Sequence, residues 1–379
     1  MDNFSFLDAH ERILSPMQAY KFGLAVGSSV REGSKIAVGF CKNRGADIYA
    51  YLISSAISAC GSDCYLIPKS EVFLSAYGAE VISAHCYIHI CSESHMSVYA
   101  GGKLGSGLDK DFLKEITKRY HSNDFATVLP HLSGRIKALK DIKSLYESDL
   151  SESFRNINGI RATVKTSSVL VANLFDEIIR KKNDLNVEET VFNFSLDCKK
   201  VSAYSEKTGY VFYETLLLLA AKIQLEKGEE VIVPKFFPSA ANRLSGRLVR
   251  AESRESLKIS ESNRFLTDSF YLIMMILEYM GKNKISFYEA MLDVPRVYFS
   301  QRFIYAGDDS EKKINKMVSE RFLNESGELT NKFGKVRASL DKTKKGILLF
   351  ADALSFEAAG SICDEIENYV KRINLDKEE

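Results

Sequence analysis

The chain has 379 residues, 45% of them hydrophobic and 27% charged, with 51 basic and 50 acidic side chains. That composition belongs to a globular protein with room for roughly two to four domains, and a net charge of +1 leaves no basic field to hold nucleic acid. There is no leader pattern and no apolar run near about 18 residues. The longest candidate, Phe270–Leu277, is short and begins beside Asp268, so the expectation is a cytoplasmic protein that does not engage a membrane.

Lys35–Phe40, KIAVGF, reads as a short apolar strand, and Ile48–Ser58 carries apolar residues at helical spacing. Cys64–Ile67 is a second strand, FLSAYGAEVI a helix, and Val81–Ile90, which contains CYIHI, a third strand. This β-α-β-α-β order predicts a largely parallel sheet with helices against it. His89–Leu104, HICSESHMSVYAGGKL, is expected to be a loop, and DKDFLKEITKRY, Asp109–Tyr120, an amphipathic helix. The loop combines a nucleophile, a proton carrier and a cation: Ser94, His95 and Lys103. The polar stretch His121–Ser153, punctuated by Pro130 and Gly134, reads as an inter-domain connection.

The strand–small-residue–helix opening recurs twice. It returns as RATVKT, two serines and VLVANLFDEIIRKKN, and again as EVIV, Pro238, Ser239 and the helix-like AANRLSGRLV. Three such units predict three related α/β modules. From about Tyr298 the pattern changes to a helix (SEKKINKMVSERF), a strand (GILLFADA) and a final helix (FEAAGSICDEIENYVKRI). The expected fold class is α/β: three related α/β modules with mixed sheets between helices, plus a C-terminal α+β domain. The boundaries fall at 1–145, 146–225, 226–298 and 299–379.

The seven cysteines are odd in number, form no CxxC pair and lie mostly in apolar segments. They read as small reduced hydrophobes in a reducing compartment. His85, Cys86, His89, Cys91 and His95 cluster within a short stretch, and on a strand His85, Tyr87, His89 and Cys91 share one face. Imidazole and thiolate suit zinc, but this spacing matches none of the usual ligand patterns, and packed or edge residues are the preferred reading.

Taken in order, the segments resemble the α-D-phosphohexomutase superfamily, the phosphoglucomutase and phosphomannomutase group. SPMQAYKFGLAVGSSVREGSKIAVGFCKNRGADIYAYLISSAISACGSDCYLI is similar to that family's opening helix, strand and Gly-Arg-Asp loop. ICSESHMSVYAGGK resembles its phosphoserine loop, and FNFSLDCKKVSAYSEKTGYVFYETLLLLAAKI its metal-loop strand, hairpin and helix. LTDSFYLIMMILEYMGKNKISFYEAMLDVP and ILLFADALSFEAAGSICDEIENYVKRI resemble the ends of the third and fourth domains. The resemblance implies a phosphoryl transfer between the two ends of a hexose phosphate, by way of an enzyme phosphoserine, at a site made from four loops.

Set against that pattern, most of the loops are altered. Ser94 falls at the phosphoserine, followed by His95, and Tyr99, Gly101 and Lys103 match Tyr-Asn-Gly-x-Lys except that Ala100 replaces the Asn. Ser94 would be nucleophile and phosphate carrier, with Lys103 spreading the charge of the transferring group. A polar Gly-rich turn without chemistry is the competing reading. The magnesium loop, Asp-x-Asp-x-Asp-Arg in the family, is here Ser195-Leu196-Asp197-Cys198-Lys199-Lys200. Magnesium needs hard oxygen ligands and their charge, and an ammonium about 4 Å away would repel it by roughly 8 kcal/mol at an effective dielectric near 20. No magnesium site of the family type is therefore expected. Lys199 either stands where the cation stood, facing an anion, or belongs to a solvated Lys-Lys turn. The Gly-Glu-x-Ser-Gly sugar loop is missing. VRASLDKTKK retains Arg337 and Ser339 of the Arg-x-Ser-Gly-Thr phosphate clamp but replaces Gly and Thr with Leu340 and Asp341, and it could equally be a plain hairpin arm. In the first module Lys42 and Arg44 are the cations available to the Gly-Arg-Asp loop.

Because carrier, metal, sugar contacts and clamp act as a unit, the expectation is a degenerate phosphohexomutase-like protein with little or no mutase activity. It would act by binding or regulation, with a hexose phosphate ligand, a protein partner or a second copy of itself. No cofactor is expected. The alternative is an active intramolecular phosphotransferase working through Ser94 with altered metal dependence, or with magnesium if the metal loop works despite its substitutions.

Overall fold

A computed structural model describes residues 15–92, 96–102, 105–179, 184, 187–234, 237–251, 261–320, 322–324, 327–331, 334–341, 345–353 and 355–375. The chain divides into two compact units, Glu11–Lys235 with Ser245–Val294, and Phe236–Leu244 with Pro295–Glu379.

The first unit opens with α1 (Pro16–Ser28), whose start is written into the sequence. The Ser15 hydroxyl accepts from the Gln18 N–H while the Gln18 side chain accepts from the Ser15 N–H, and Pro16 takes the first helical position, where no N–H is needed. Next come β1 (Lys35–Phe40), α2 (Ala46–Ala59), β2 (Asp63–Pro68), α3 (Val72–Val81), β3 (Cys86–Ser92) and β4 (Met96–Gly101). Then follow α4 (Lys110–Ser122), β5 (Ile136–Ala138) and α5 (Ile142–Ser153). The five strands form one sheet in the order β4-β3-β1-β2-β5. Its β3-β1-β2-β5 part is parallel, and β4 runs antiparallel along one edge. β1 is buried from Ile36 to Phe40, as a strand covered on both faces must be.

Three expectations need correction here. The strand expected over Val81–Ile90 begins only at Cys86, because α3 continues through Val81 and Ser83 turns the chain at a φ of 53°. The expected loop His89–Leu104 is mostly a hairpin: Ser92 pairs with Met96 and Tyr87 with Gly101, and Tyr87, His89 and Tyr99 alternate with small or apolar residues as strands require. The polar stretch His121–Ser153 is part of the first module. β5 extends its sheet, and α5 buries Ile142, Tyr146 and Leu150 at helical spacing.

A second sheet in this unit contains β6 (Arg161–Lys165), then α6 (Val169–Ile178), β7 (Glu189–Phe194), β8 (Val201–Ser205) and β9 (Gly209–Val211). Its order is β6-β7-β8-β9, parallel between β6 and β7 and antiparallel beyond. α7 (Tyr213–Glu226) follows, with β10 (Val231–Pro234) and β11 (Leu248–Ala251) as a two-stranded parallel pair. The helix expected over AANRLSGRLV is absent. Ser239–Arg243 forms a short 3-10 turn, and the chain then extends into β11. Gly246, at a φ of 122° against Leu225, holds a conformation that no helix contains. α8 (Ser269–Asn283) is buried along nearly its whole length, and α9 (Phe287–Met291) begins with a Ser286–Glu289 capping box.

The second unit contains β12 (Tyr298–Tyr305), α10 (Ser310–Ser319), β13 (Glu328–Asn331), β14 (Gly334–Asp341), β15 (Gly346–Ala353) and α11 (Phe356–Leu375). Its antiparallel sheet, β12-β15-β14-β13, packs Val336, Ile347, Leu349 and Ala351 against Ile362, Ile366 and Val370 of α11. Both units are mixed α/β, in keeping with the expected fold class. Among the described residues no helix is long and apolar enough to cross a membrane.

Candidate functional site

In open α/β sheets ligands bind beyond the carboxyl ends of the parallel strands. In the first unit the segments that leave such ends include the turn after β1, the β3–β4 hairpin and the turn after β7. Ser94, His95 and Lys103, expected to carry the chemistry, lie outside the described residues. The arms of the hairpin pair directly, with His89 of β3 opposite Tyr99 of β4.

His89 is fully buried, and its partners come from the start of α3. Its Nδ1 lies 2.8 Å from Ser75 Oγ, which lies 3.1 Å from Ser70 Oγ, and Ser70 donates to the Ile67 carbonyl at 2.8 Å. With Ser70 committed to that carbonyl, Ser75 can donate to Ser70 or to the Glu71 carbonyl at 3.2 Å. Its oxygen then accepts from a protonated Nδ1. Nε2 is buried with no hydrogen-bond partner among the described residues. Burial, and then the positive charge of Lys199, pull the His89 pKa from 6.5 down to about 3, so the ring is neutral at physiological pH.

Gly39 makes room for this chain of hydroxyls. A Cβ there would stand 1.8 Å from Ser75 Oγ and 2.7 Å from Ser70 Oγ. A lone glycine inside a buried strand is the signal of such a close approach, and KIAVGF carries it openly. Gly39→Ala is expected to cost about 1–3 kcal/mol of stability, the usual range for overpacking. Urea denaturation would check this, and a change within experimental scatter would mean that the serines simply swing aside.

The turn after β7, Ser195–Lys200, is the segment whose sequence resembles an altered metal loop, and several of its polar groups bond within the turn. Ser195 Oγ donates to Asp197 Oδ1 at 2.7 Å, and the Lys199 N–H donates to the same oxygen at 3.2 Å. The Lys200 N–H donates to Ser195 Oγ at 3.0 Å, while Ser195 N–H reaches the Lys200 carbonyl at 2.9 Å. Cys198 sits at the corner with a φ of 52°, and its carbonyl accepts from Ser269 Oγ at 2.6 Å, which ties the turn to the start of α8. Nearby, Ser168 at the head of α6 donates to Glu71 Oε1 at 2.6 Å, joining the second sheet's first helix to α3. Both contacts lie within the first unit, so the turn has a fixed seat.

The Lys199 side chain is not the solvated arm of a Lys-Lys turn. It is half-buried, and its ammonium lies 3.0 Å from the centroid of the Tyr99 ring. That places the cation of the metal-loop turn against the hairpin arm that follows Ser94 in the chain. A divalent metal does not fit this donor set. One Asp197 oxygen already accepts two hydrogen bonds, Ser195 is neutral and donating, and the third position carries a positive charge.

The remaining candidates are more scattered. Lys42 and Arg44 are exposed in the turn between β1 and α2. In the second unit, Arg337 and Ser339 are in the body of β14, paired with Phe350 and Leu348, and Ser339 Oγ donates to the Leu348 carbonyl at 3.2 Å. The His–Cys cluster is dispersed. His85 packs edge-on to Phe112, Cys86 is buried with its thiol pKa raised by desolvation to about 12, and His89 belongs to the serine chain. No group of three metal-ligating side chains occurs among the described residues, and all seven cysteines are buried.

A buried ionic knot in the same unit was not anticipated from the sequence. Arg264 meets Asp268 at 3.1 Å and Asp149 at 2.9 Å, and its guanidinium faces the rings of Tyr77, Tyr146 and Tyr271 at about 5 Å. Tyr146 donates to both Asp268 oxygens, and Asp268 also accepts from the Phe270 and Tyr271 N–H groups as the cap of α8. Residues from α3, α5 and α8 thereby converge on one charge pair.

A Burkholderia thailandensis protein of the phosphoglucomutase/phosphomannomutase family superposes with a TM-score of 0.71, covering 98% of both chains at 14% identity. The chain has the α-D-phosphohexomutase fold. A Thermus thermophilus protein described as a phosphomannomutase gives 0.64 over 93% of this chain and 94% of its own, again at 14% identity. The Paramecium phosphoglucomutase pp63/parafusin gives 0.57 at 10% identity over 97% and 92%. No protein-family model and no curated protein matches the sequence. Near-complete coverage at such low identity means that the chains share an architecture while most of their residues differ.

Proposed function

We propose that this chain is a phosphohexomutase-fold protein that binds a hexose phosphate with little or no turnover and acts by binding or regulation, through a protein partner or a second copy of itself. The observation that carries this reading is the turn Ser195–Lys200. A mutase of the kind the sequence resembles needs a metal to draw charge from the transferring phosphoryl group. Here the corresponding turn is closed by its own hydrogen bonds and carries Lys199 in a ligand position. Phosphoserine, metal, sugar contacts and clamp act as one unit, so losing the metal costs the reaction and not a fraction of it. The reading is supported by the β3–β4 hairpin and the turn after β7, which leave the carboxyl ends of parallel strands, where open α/β sheets take their ligands.

The test has two readouts on the same preparation. Calorimetric titration with glucose 1-phosphate, glucose 6-phosphate and glucose 1,6-bisphosphate is expected to show binding of at least one. A coupled mutase assay with magnesium and the bisphosphate activator is expected to show no turnover of glucose or mannose 1-phosphate above background. Turnover at ordinary mutase rates, or phosphate on Ser94 by intact mass after incubation with the bisphosphate, would overturn this reading in favour of an active phosphotransferase. Absence of all hexose phosphate binding would leave a structural partner protein.

A further inference from the structure

Resting on the reading that this chain acts through a partner, we propose that the partner is a second copy of the chain, docked through the exposed face of the β6-β7-β8-β9 sheet. The two faces of this sheet are unlike. On one, Phe192, Val201, Ala203 and Val211 are buried. Strand alternation sends their neighbours to the other face, where cross-strand pairing lines up Thr163, Val191, Tyr204 and Tyr210 in one row. Tyr204 is 46% exposed and Tyr210 55%. Phe212, just past β9, is 65% exposed, and its ring stands edge-on to Tyr210 at 4.9 Å. The Tyr210 hydroxyl donates to Ser202 Oγ at 2.7 Å, which holds that ring in place. Single exposed apolar residues are ordinary, but adjoining aromatic rings on a fixed sheet point to an interaction surface.

Charge selects the occupant. Lys165 ends β6 at one corner of the face, level with Asn193 and Ser202. Glu206 follows β8 at the diagonally opposite corner, in the turn into β9. Both are exposed, and neither has a charged partner among the described residues. The other charges at the rim are occupied: Arg161 meets Glu189 at 3.9 Å, Lys200 meets Glu214 at 3.5 Å, and Lys207 acts on Glu289. The face therefore offers one unpaired charge of each sign at opposite corners, which makes it complementary to itself. A two-fold axis along the other diagonal sets Lys165 of each copy against Glu206 of the other, twice, as an isologous interface requires. The same axis crosses the two aromatic rows at their centres, with the strands near right angles, one of the two ways in which sheets pack face to face. A purely acidic or purely basic partner would satisfy only one corner. The face spans three inter-strand spacings, about 15 Å, so the contact is of the small, transient class and depends on concentration.

Sedimentation equilibrium of the full chain, from micromolar to millimolar concentration and without sugar phosphate, is expected to show a reversible monomer–dimer equilibrium. Tyr204→Ala/Tyr210→Ala is expected to leave a monomer with an unchanged circular dichroism spectrum. Lys165→Glu should weaken dimerisation about tenfold, because the two-fold axis turns two attractions into two repulsions. Lys165→Glu/Glu206→Lys should return it to near the native value, since the swap restores both contacts. The charge variants change exposed side chains, so they judge the surface even if the tyrosine variant folds poorly. A monomer at every concentration would overturn the proposal. So would a dimer indifferent to the tyrosine change, or a charge reversal that the swap does not rescue. The hexose phosphate titrations are judged separately. A monomer that binds a hexose phosphate would overturn this surface alone, and a dimer with these mutational responses that binds none would uphold the surface while the ligand reading falls.

Discussion

Replacing Asp268 with alanine is expected to lower the stability of the first unit by about 3–5 kcal/mol, the cost of removing one member of a buried ion pair. Three roles meet in this carboxylate. It pairs with Arg264 at 3.1 Å, accepts the Tyr146 hydroxyl at 2.8 and 3.0 Å, and caps two N–H groups at the head of α8. Both charged side chains are more than nine-tenths buried. Without the carboxylate, the Arg264 charge would be left in an aromatic cage with the half-exposed Asp149 as its one counter-ion among the described residues. Asp268→Asn should cost less than Asp268→Ala, because the amide can still cap α8. Urea denaturation followed by circular dichroism would measure both, since the chain has no tryptophan to report by fluorescence. In a double-mutant cycle, Arg264→Met/Asp268→Ala should cost less than the sum of its single changes, because the double variant buries no orphan charge. Strict additivity would mean that the two groups do not act as a pair.

This knot also shows where sequence reasoning stops. Asp268 was legible only as the polar residue before an apolar run, and Arg264, Tyr146 and Asp149 lie in segments that periodicity reads one at a time. A contact over 122 residues, such as Tyr146 to Asp268, leaves no local trace. Elements whose burial follows from a repeating pattern were readable: KIAVGF and GILLFADA are β1 and the whole of β15, and DKDFLKEITKRY opens α4 with Asp109 accepting from the Asp111 and Phe112 N–H groups. Errors fell where a turn or an edge decides the outcome. ICSESHMSVYAGGK looks like a loop because its polar residues and glycines suit one, yet its arms pair across the hairpin, and an edge strand exposed on one side can be that polar. β5 is three exposed residues with no periodicity at all and exists because β2 offers it an edge.

The candidate site divides in the same way. Lys199 was visible as a charge reversal at a ligand position, but the sequence left open whether it faces an anion or water. Its seat depends on Tyr99, about a hundred residues earlier, and the packing of the metal-loop turn against the hairpin is a tertiary fact. His89 was read as one of a His–Cys cluster because strand alternation gives it a shared face with His85 and Cys91. What separates them is what each face meets: Phe112 for His85, and the α3 hydroxyls for His89. Gly39 was the available clue, since a glycine in mid-strand marks a neighbour coming close.

Acid should destabilise the protein through His89 in a window that identifies it. The native ring has its pKa drawn from 6.5 to about 3, first by burial and then by Lys199. Between those values the unfolded chain binds a proton that the native state does not, so stability rises with pH across the window. The full contribution is present above pH 6.5, and it is lost progressively as the pH falls toward 3. At 1.36 kcal/mol per pH unit the total is up to about 5 kcal/mol. The carboxylates with lowered pKa values, Asp63, Glu177, Glu289, Glu357 and Glu367, start from ordinary values of 3.8 and 4.5, so their contributions are lost only below those values. Loss of stability that begins above pH 5 therefore belongs to a histidine, and His89 is fully buried. His89→Asn can place an amide N–H where Nδ1–H now meets Ser75 and cannot titrate. Its cavity would lower stability at every pH alike, while the slope between pH 6.5 and 4.5 should flatten. Urea midpoints measured at intervals across that range, for both proteins, give the two slopes directly. Parallel curves would mean that the native His89 ring takes up its proton as readily as the unfolded chain does, with water or a rearranged Ser75 accommodating the charged form.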